Sequence, residues 1–224
     1  RGASQKIDLL AGKAENLRQS MRKQLNSDAF GAGTGFGGKA IGGLQVLVPD
    51  DPTTGTRGGI SASTYTFWRS QQTSGAKTTS AYDNIRQAFT DVCLRCSRGG
   101  TEDLPTCAVM ARDILKGYAS TLQTYERYAM DGNKARGANG AMDVGGGLMH
   151  MNAELFYDED ASPTDSAYFL NPKWLKFYYL KGAWFKAKAP AEPANQLSSI
   201  IRVFTFGNFG TSQSRRLGVC YDIS

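Results

Sequence analysis

The chain has a single histidine, and this residue limits the catalytic chemistry that its side chains can perform. A serine or cysteine nucleophile activated by histidine would have to use His150. His150 lies between Met149 and Met151 in a strand-like run, without a neighbouring nucleophile signature such as G-x-S-x-G. We therefore expect a hydrogen-bonded histidine of the core or of a sheet edge, and we predict no catalytic residue.

Two cysteines, Cys93 and Cys96, form a CxxC pair on a predicted helix. No second CxxC follows, so a zinc site would have to recruit Cys107, Cys220 or His150 from a distance. A redox CxxC stands at the start of a helix near a βαβ pattern, which the sequence lacks at this position. We predict buried structural thiols that stay reduced in a cytoplasm, and no metal site.

A glycine-rich stretch, Gly31–Leu44, contains two patterns that are typical of nucleotide-binding loops. Gly33–Gly38 fits G-x-G-x-x-G, and Gly33–Lys39 fits G-x-x-x-x-G-K, although Ala40 replaces the Ser or Thr that would hold magnesium. Both loops require a buried strand before them and a helix after them. Here a helix comes first, and Ile41–Val48 is expected to be a loop running into a short strand. We predict no cofactor, and a nucleotide-binding enzyme remains the alternative.

Three consecutive carboxylates, Asp158, Glu159 and Asp160, precede Pro163. Carboxylate oxygens are ligands for hard cations, but a calcium loop spaces its ligands alternately along the chain. These three residues lack that spacing. The sequence therefore predicts a solvated acidic turn.

The first predicted element of the chain, ahead of all these candidate groups, is a helix from Ser4 to Asp28. Its cations lie largely off the apolar stripe, so we expect a basic open side. That side is either a solvated helix face or a face turned toward phosphate. The stripe consists of apolar residues at steps of three or four: Ile7, Leu10, Ala14, Leu17, Met21 and Leu25.

The rest of the chain alternates helical and extended patterns. The last third, Tyr168–Val219, holds aromatic and β-branched runs divided by glycine and proline turns, and we expect it to be a sheet core. The other predicted elements are helices over Ser80–Ser97 and Arg112–Met130, an extended segment with Tyr65, Phe67 and Trp68, and strands over Leu104–Met110 and Leu148–Tyr157.

Length and composition bound the class of protein. The 224 residues, of which 41% are hydrophobic, suffice for one large or two modest folded domains. No apolar run approaches the roughly 18 residues of a membrane span. The net charge of +6 permits contact with a polyanion. A basic DNA-binding module is a second alternative, although such modules concentrate their cations more strongly on one face.

The order of these elements resembles that of tailed-bacteriophage major capsid proteins, the Hong Kong 97-type fold family. A long basic helix runs into the glycine-rich stretch and its Gly43-Leu44 pair, much as the spine helix of that family ends in a glycine turn. Phe169-Leu170-Asn171 before an apolar strand and Ser214–Val219 near the end are similar to one subgroup. The resemblance covers nearly the whole chain, with the elements in the same order. It rests on the succession of motifs rather than on any single motif.

The resemblance implies an α+β fold with two intertwined domains. A peripheral domain would contain the long spine helix and long β-strands, and an axial domain would contain a central sheet flanked by helices. Residues 1–54 would form the spine helix and glycine turn, 55–181 the axial domain, and 182–224 the peripheral strands and the C-terminal return.

The resemblance also implies a structural function rather than catalysis. Such a protein assembles with copies of itself into pentamers and hexamers of an icosahedral head that encloses double-stranded DNA. Portal, scaffold and decoration proteins are further implied partners, and no membrane is involved. The implied location is the virion, with assembly in the host cytoplasm.

Two groups of residues follow as expectations from this resemblance. The basic side of the first helix would face packaged DNA without reading its sequence. A polar loop over Asp131–Gly147 and the arginines near the C-terminus would contact neighbouring subunits. The DNA-facing candidates are Arg18, Arg22 and Lys23, and the contact candidates are Arg215, Arg216, Asp131 and Asn133.

One departure from the family concerns the start of the chain. Family members carry an N-terminal arm and an extended hairpin loop before the spine helix, whereas this sequence begins at Arg1, close to the predicted helix. We therefore expect a processed or truncated product, or a longer chain with an upstream segment. We assign no cross-linking residue.

Overall fold

The computed structural model describes residues 3–75, 81–97, 100, 103–126, 148–188, 200 and 202–223. These residues form an α+β structure with one mixed six-stranded sheet, two helices on that sheet, and a long helix beside small two-stranded ribbons. Within the described residues, no helix is both long and apolar enough to cross a membrane.

The long helices agree with the sequence predictions. Helix α1 exceeds the predicted Ser4–Asp28 by a residue or two at each end, and the two later long helices also lie where they were predicted. The helices are α1 (Ala3–Phe30), α2 (Gly35–Gly38), α3 (Leu44–Leu47), α4 (Ala81–Cys96) and α5 (Arg112–Glu126), with single 3-10 turns at Thr66–Trp68 and Ser214–Arg216.

Twelve strands lie in the described residues, and most of them are short. They are β1 (Thr56–Arg57), β2 (Ile60–Ser61), β3 (Gln71–Ser74), β4 (Cys107–Met110), β5 (Met149–His150), β6 (Ala153–Tyr157), β7 (Ala167–Leu170), β8 (Leu175–Tyr179), β9 (Lys186–Ala187), β10 (Val203–Phe204), β11 (Gly207–Thr211) and β12 (Gly218–Tyr221).

The six-stranded sheet has the order β3-β12-β7-β4-β6-β5. Strand β12 is parallel to β3 and antiparallel to β7, and β4 is antiparallel to β7 and parallel to β6. All four residues of β7 are buried, as expected for a strand at the centre of a covered sheet. The sheet joins segments on both sides of the boundary predicted near residue 181. The three-part domain division itself stays a prediction.

Helices α4 and α5 cover one face of this sheet, and aromatic rings fill the space between them. The Phe89 ring lies 4.9 Å from the Phe169 ring in an edge-to-face contact and 5.4 Å from the stacked Tyr118 ring. Pairs of this kind add about 0.5–1.5 kcal/mol beyond the area that they bury. Helix α4 therefore packs an apolar face, which includes Phe89 and Val92, into the core.

Three local predictions were wrong. Ile41–Val48 holds the short helix α3 rather than a strand, because Leu44 and Leu47 both point into the core at helical spacing. The extended segment at Tyr65–Trp68 is a 3-10 turn, since the Trp68 indole turns inward and donates to the Arg57 carbonyl at 3.1 Å. The strand over Leu148–Tyr157 is broken into β5 and β6 by a turn at Met151, where φ is 54°.

The end of α1 is anchored to the body of the protein. Phe30 is buried, with its ring 6.5 Å from that of Tyr168. The Asn26 side-chain amide donates to Asp158 at 2.9 Å and to Asp160 at 3.1 Å. The acidic turn is therefore only partly solvated: two of its carboxylates hold the last turns of α1.

The prediction that Tyr168–Val219 forms a sheet core is only partly right. Strands β7 and β12 lie in the core, but β8 pairs with β11 in a separate two-stranded ribbon, and β9 pairs with β10 in another. Aromatic residues favour strands whether or not those strands are buried. The tertiary arrangement alone separates the buried strands from the exposed ones.

Candidate assembly surface

His150 has two hydrogen-bonding partners and is buried. Its Nδ1 lies 2.8 Å from the Tyr118 hydroxyl, and its Nε2 lies 3.1 Å from the Thr90 hydroxyl. Because Thr90 donates its one proton to the Arg86 carbonyl at 2.8 Å, its oxygen must accept from Nε2–H, and Tyr118 then donates to Nδ1. Burial, and secondarily the charge of Arg86, lowers the pKa of His150 to about 4. The neutral ring is a core residue, as predicted.

Three of the four cysteines are also buried. Cys93, Cys96 and Cys220 are free thiols, and burial raises the pKa of Cys93 and of Cys220 to about 12. A thiol that stays protonated is a poor nucleophile and a poor metal ligand. Among the described residues, no group of three or more histidine, cysteine or carboxylate side chains is placed to hold a metal ion.

The glycine-rich loop lacks the context of a phosphate-binding loop. Helix α1 precedes it, and the turn α2 contains Phe36 and Gly37 at left-handed dihedrals, with φ of 51° and 68°. A P-loop instead leads from a buried strand into a helix of several turns. The sequence motif at Gly33–Lys39 therefore lies in a surface turn.

Helix α1 is exposed along its middle. Every residue from 11 to 20 is exposed, and Leu17, on the predicted apolar stripe, is 36% exposed. Of residues 11–30, Met21 and Leu25 are half-buried, and Phe30 is the one buried apolar side chain. Isolated helices are marginal in water, because most of their stability in proteins comes from packing of the apolar face. The exposed middle of α1 is therefore a candidate surface for a partner.

The ribbon of β8 and β11 is exposed on both faces near its end. Successive strand residues point to opposite faces, yet Tyr178 and Tyr179 are 60% and 59% exposed. Leu180 and Phe206, which adjoin the two strands, are similarly exposed. Two-stranded ribbons are marginal by themselves in water. This ribbon therefore presents apolar surface that the described chain does not cover.

A cleft of about 730 Å³ separates α1 from this ribbon. One wall carries aromatic rings around Trp184, which lies 5.4 Å from Phe177 and 5.0 Å from Phe185. The other wall carries Arg18 and Arg22. The cleft thus places cations opposite aromatic rings.

The predicted DNA-facing residues lie together on α1. Arg18, Arg22 and Lys23 are all exposed, and Arg18 makes only a loose 3.8 Å ion pair with Glu15. Exposed pairs of this kind contribute little to stability, so the charges remain free to meet an anion. Their contact with DNA stays a prediction.

The predicted contact arginines lie at the 3-10 turn of Ser214–Arg216. Arg216 Nη1 is 2.7 Å from Asp103 Oδ2, in a pair whose side chains are 13% and 20% exposed. The pair is close but not well directed as a hydrogen bond. Arg215 Nε is buried and finds no hydrogen-bond partner in the described residues. Subunit contact stays a prediction for both arginines.

The other two predicted contact residues, Asp131 and Asn133, lie outside the described residues. Conversely, the exposed apolar ends of the ribbon were missed from the sequence. The available signal was the adjacent pair Tyr178-Tyr179 followed by Leu180, because an uninterrupted apolar run at a strand end breaks the alternation of a half-buried strand.

The similarity of the whole chain to known proteins and solved structures is a further line of evidence. No protein-family model matches the chain. No curated protein matches it either. Among solved structures, a chain of the capsid asymmetric unit of cyanophage A-1(L) superposes with a TM-score of 0.68 at 15% sequence identity, over 96% of this chain and 69% of the other. The chain therefore has a phage capsid fold.

Proposed function

We propose that this chain is a structural major capsid protein, which assembles with copies of itself into the shell of a tailed-phage head. The likeness to a cyanophage capsid chain supports this role. The succession of sequence motifs supports the narrower assignment to the Hong Kong 97-type family. In this assignment the protein acts through assembly rather than through turnover.

The observation that carries the proposal is the unpartnered surface of the subunit. Residues 11–20 of α1 are exposed and mostly polar, with Leu17 as their one large apolar side chain, and the ribbon beside the helix exposes Tyr178, Leu180 and Phe206. Contiguous exposed apolar patches mark interaction sites on soluble proteins. Neighbouring subunits in a closed ring would cover these patches, because head-to-tail contacts with rotational closure bury the same two surfaces on every copy.

The same arrangement suits pentamers and hexamers that enclose double-stranded DNA. In this proposal the cations of α1 face the packaged DNA and contact its phosphates without reading sequence. Portal, scaffold and decoration proteins would complete a virion that assembles in the host cytoplasm.

The peripheral domain would comprise α1 and the ribbons, and the axial domain the six-stranded sheet with α4 and α5. This division follows the packing of the elements more closely than boundaries after residues 54 and 181 would. It can be tested separately by limited proteolysis of the dispersed subunit.

Assembly of the purified chain tests the proposed function directly. We expect capsomers or shells in negative-stain images and by light scattering. A chain that stays monomeric at high concentration, across salt conditions and with upstream sequence and scaffold supplied, contradicts the proposal. Binding of a nucleotide, or salt-dependent duplex binding by the monomer, would instead favour the enzyme or the DNA-binding module.

A pair of matched variants asks whether the ribbon is the assembly surface. Leu180 and Leu94 are 64% and 55% exposed, the first beside the ribbon and the second on α4. We expect Leu180→Ser to weaken assembly and Leu94→Ser to leave it near the wild-type level. Equal effects of the two changes would argue against the ribbon.

A further inference from the structure

Phe36 is the most exposed of the large apolar side chains in the described residues. Its side chain is 76% exposed at the tip of the glycine-rich loop. Its backbone has φ 51° and ψ 37°, which is the left-handed region. L-residues adopt this conformation at a cost of roughly 1–2 kcal/mol, which glycine does not incur.

The loop that carries Phe36 is held firmly at its base. Ala32 and Gly42 form a β-bridge, and the Gly43 amide donates to the Gly31 carbonyl at 3.0 Å. The Gly42 amide also donates to the Asn208 side chain of β11 at 2.9 Å. The loop therefore presents Phe36 from an ordered support, which lowers the entropy lost when a partner binds.

Neither the backbone strain nor the exposure of Phe36 stabilises the subunit itself. A glycine at this position would remove the strain, and a polar residue would remove the exposed ring. An outlier of this kind is a reason to look for a function. Because the ring points into solvent, that function lies in a contact with another molecule.

The described chain also contains a cleft suited to such a ring. The cleft measures about 600 Å³ and lies between the middle of α1 and strand β10. Lys188 Nζ already lies 6.0 Å from the Phe204 ring centroid, so a cation is present at its edge. The lining residues are Leu17, Lys188, Arg202, Val203, Phe204 and Phe206.

The chemistry of the cleft suits an aromatic occupant. Apolar walls at Leu17, Val203 and Phe206 would bury the hydrocarbon of a ring. The cations Lys188 and Arg202 are attracted to the face of an aromatic ring, which carries no charge that must be desolvated. Phe36 meets both conditions.

We propose that Phe36 of one copy of this chain inserts into the cleft of Leu17, Phe204 and Phe206 on a neighbouring copy. The two surfaces differ and lie apart in sequence, so the contact is head-to-tail and can close a ring. This inference rests on the proposed function and adds to it a specific anchor and its receptor.

Photo-cross-linking and substitution test this contact. We expect p-benzoylphenylalanine at position 36 to cross-link two copies, with the adduct mapping to the peptide that contains Val203, Phe204 and Phe206. We also expect Phe36→Ala to weaken self-association by about 10- to 100-fold, the range for burying one such side chain. Phe36→Leu, which keeps an apolar side chain without a ring face, should lose part of the association.

A control for folding is available at the same position. Phe36→Gly removes the left-handed strain, so the dispersed subunit should unfold at the same temperature or a higher one while its association is weakened. A clearly lower unfolding temperature for Phe36→Ala, which keeps the β-carbon and loses only the ring, would mean that Phe36 packs within its own chain, and would overturn the inference.

The remaining outcomes separate this inference from the proposed function. Shells that form normally from Phe36→Ala, or cross-links that map away from the cleft, overturn the contact and leave the capsid function standing. A wild-type chain that never associates overturns both.

Discussion

Acid should destabilise the subunit through its one histidine. His150 is buried and neutral, with both ring nitrogens occupied by Tyr118 and Thr90. Burial lowers its pKa from 6.5 to about 4, with a further contribution from the charge of Arg86. The unfolded chain therefore binds a proton in a pH range where the folded chain does not, so stability falls with falling pH.

The size of the effect follows from this difference in pKa. The stability from the neutral ring is fully present above the unfolded pKa of 6.5 and is lost as the pH falls toward the folded pKa of about 4. Each unit of pKa difference corresponds to about 1.4 kcal/mol, so the full effect is about 3 kcal/mol. Between pH 7 and pH 5 the expected loss is about 2 kcal/mol.

Urea unfolding of the dispersed subunit at pH 7 and pH 5 measures this loss. The matched variant is His150→Gln, which keeps a hydrogen-bonding side chain that does not titrate. Its overall stability is expected to be lower, but its dependence on pH should be flatter by about 2 kcal/mol over this range. Carboxylates begin to titrate near pH 5, and the difference between the two proteins removes their contribution.

Proton NMR provides a direct check, because the chain contains one histidine and hence one imidazole Hε1 resonance. A titration midpoint near 6.5 in the folded protein would refute the reasoning. So would an equal pH dependence in His150→Gln, since another group would then be responsible.

Three further predictions concern charges elsewhere in the subunit. Arg57→Ala should cost about 2–4 kcal/mol of unfolding free energy in urea, because the buried guanidinium donates to the carbonyls of residues 46, 52 and 54. Asp50→Asn should slightly raise the unfolding temperature at pH 7, with the gain disappearing below pH 4, because partial desolvation of this exposed residue and the charge of Asp165 raise the pKa of its carboxyl. Replacing Arg18, Arg22 and Lys23 with Gln should change the unfolding free energy by no more than about 0.5 kcal/mol. The same change should reduce the slope of log binding constant against log salt concentration, for duplex DNA and the assembled protein, by nearly 3.

Each of these three predictions has its own control or contradicting outcome. Arg57→Lys keeps the charge but not the planar set of donors, so it should recover only part of the stability; full recovery would contradict the role of the three carbonyls. A loss of stability in Asp50→Asn at pH 7 would mean that the ionised carboxylate is favoured in the folded state. For the α1 cations, an equal loss of charge at the exposed residues Lys176, Lys181 and Lys186 should change the salt slope less.

Some features of the fold could be predicted because their signals are local. The periodicity of α1, α4 and α5 lies within each segment, and the predicted helices were confirmed over the described residues. The burial of Cys93 and His150 could also be inferred, since each lay on an apolar run without the partners that its chemistry would need. The short helix α3 could not be predicted, because four residues carry too little periodicity to separate a turn of helix from a strand.

The sequence by itself determined the α+β class, the long basic helix and the aromatic content of the C-terminal third. Only the tertiary structure decided that Tyr168 is 1% exposed while Tyr178, in the same stretch, is 60% exposed. The physical reason is that the preference for a strand is local, whereas burial depends on which strands pair and on what covers their faces. Strand β7 pairs on both edges inside the six-stranded sheet, whereas β8 has β11 as its one partner strand among the described residues. The surface that we propose for assembly is therefore a product of strand pairing.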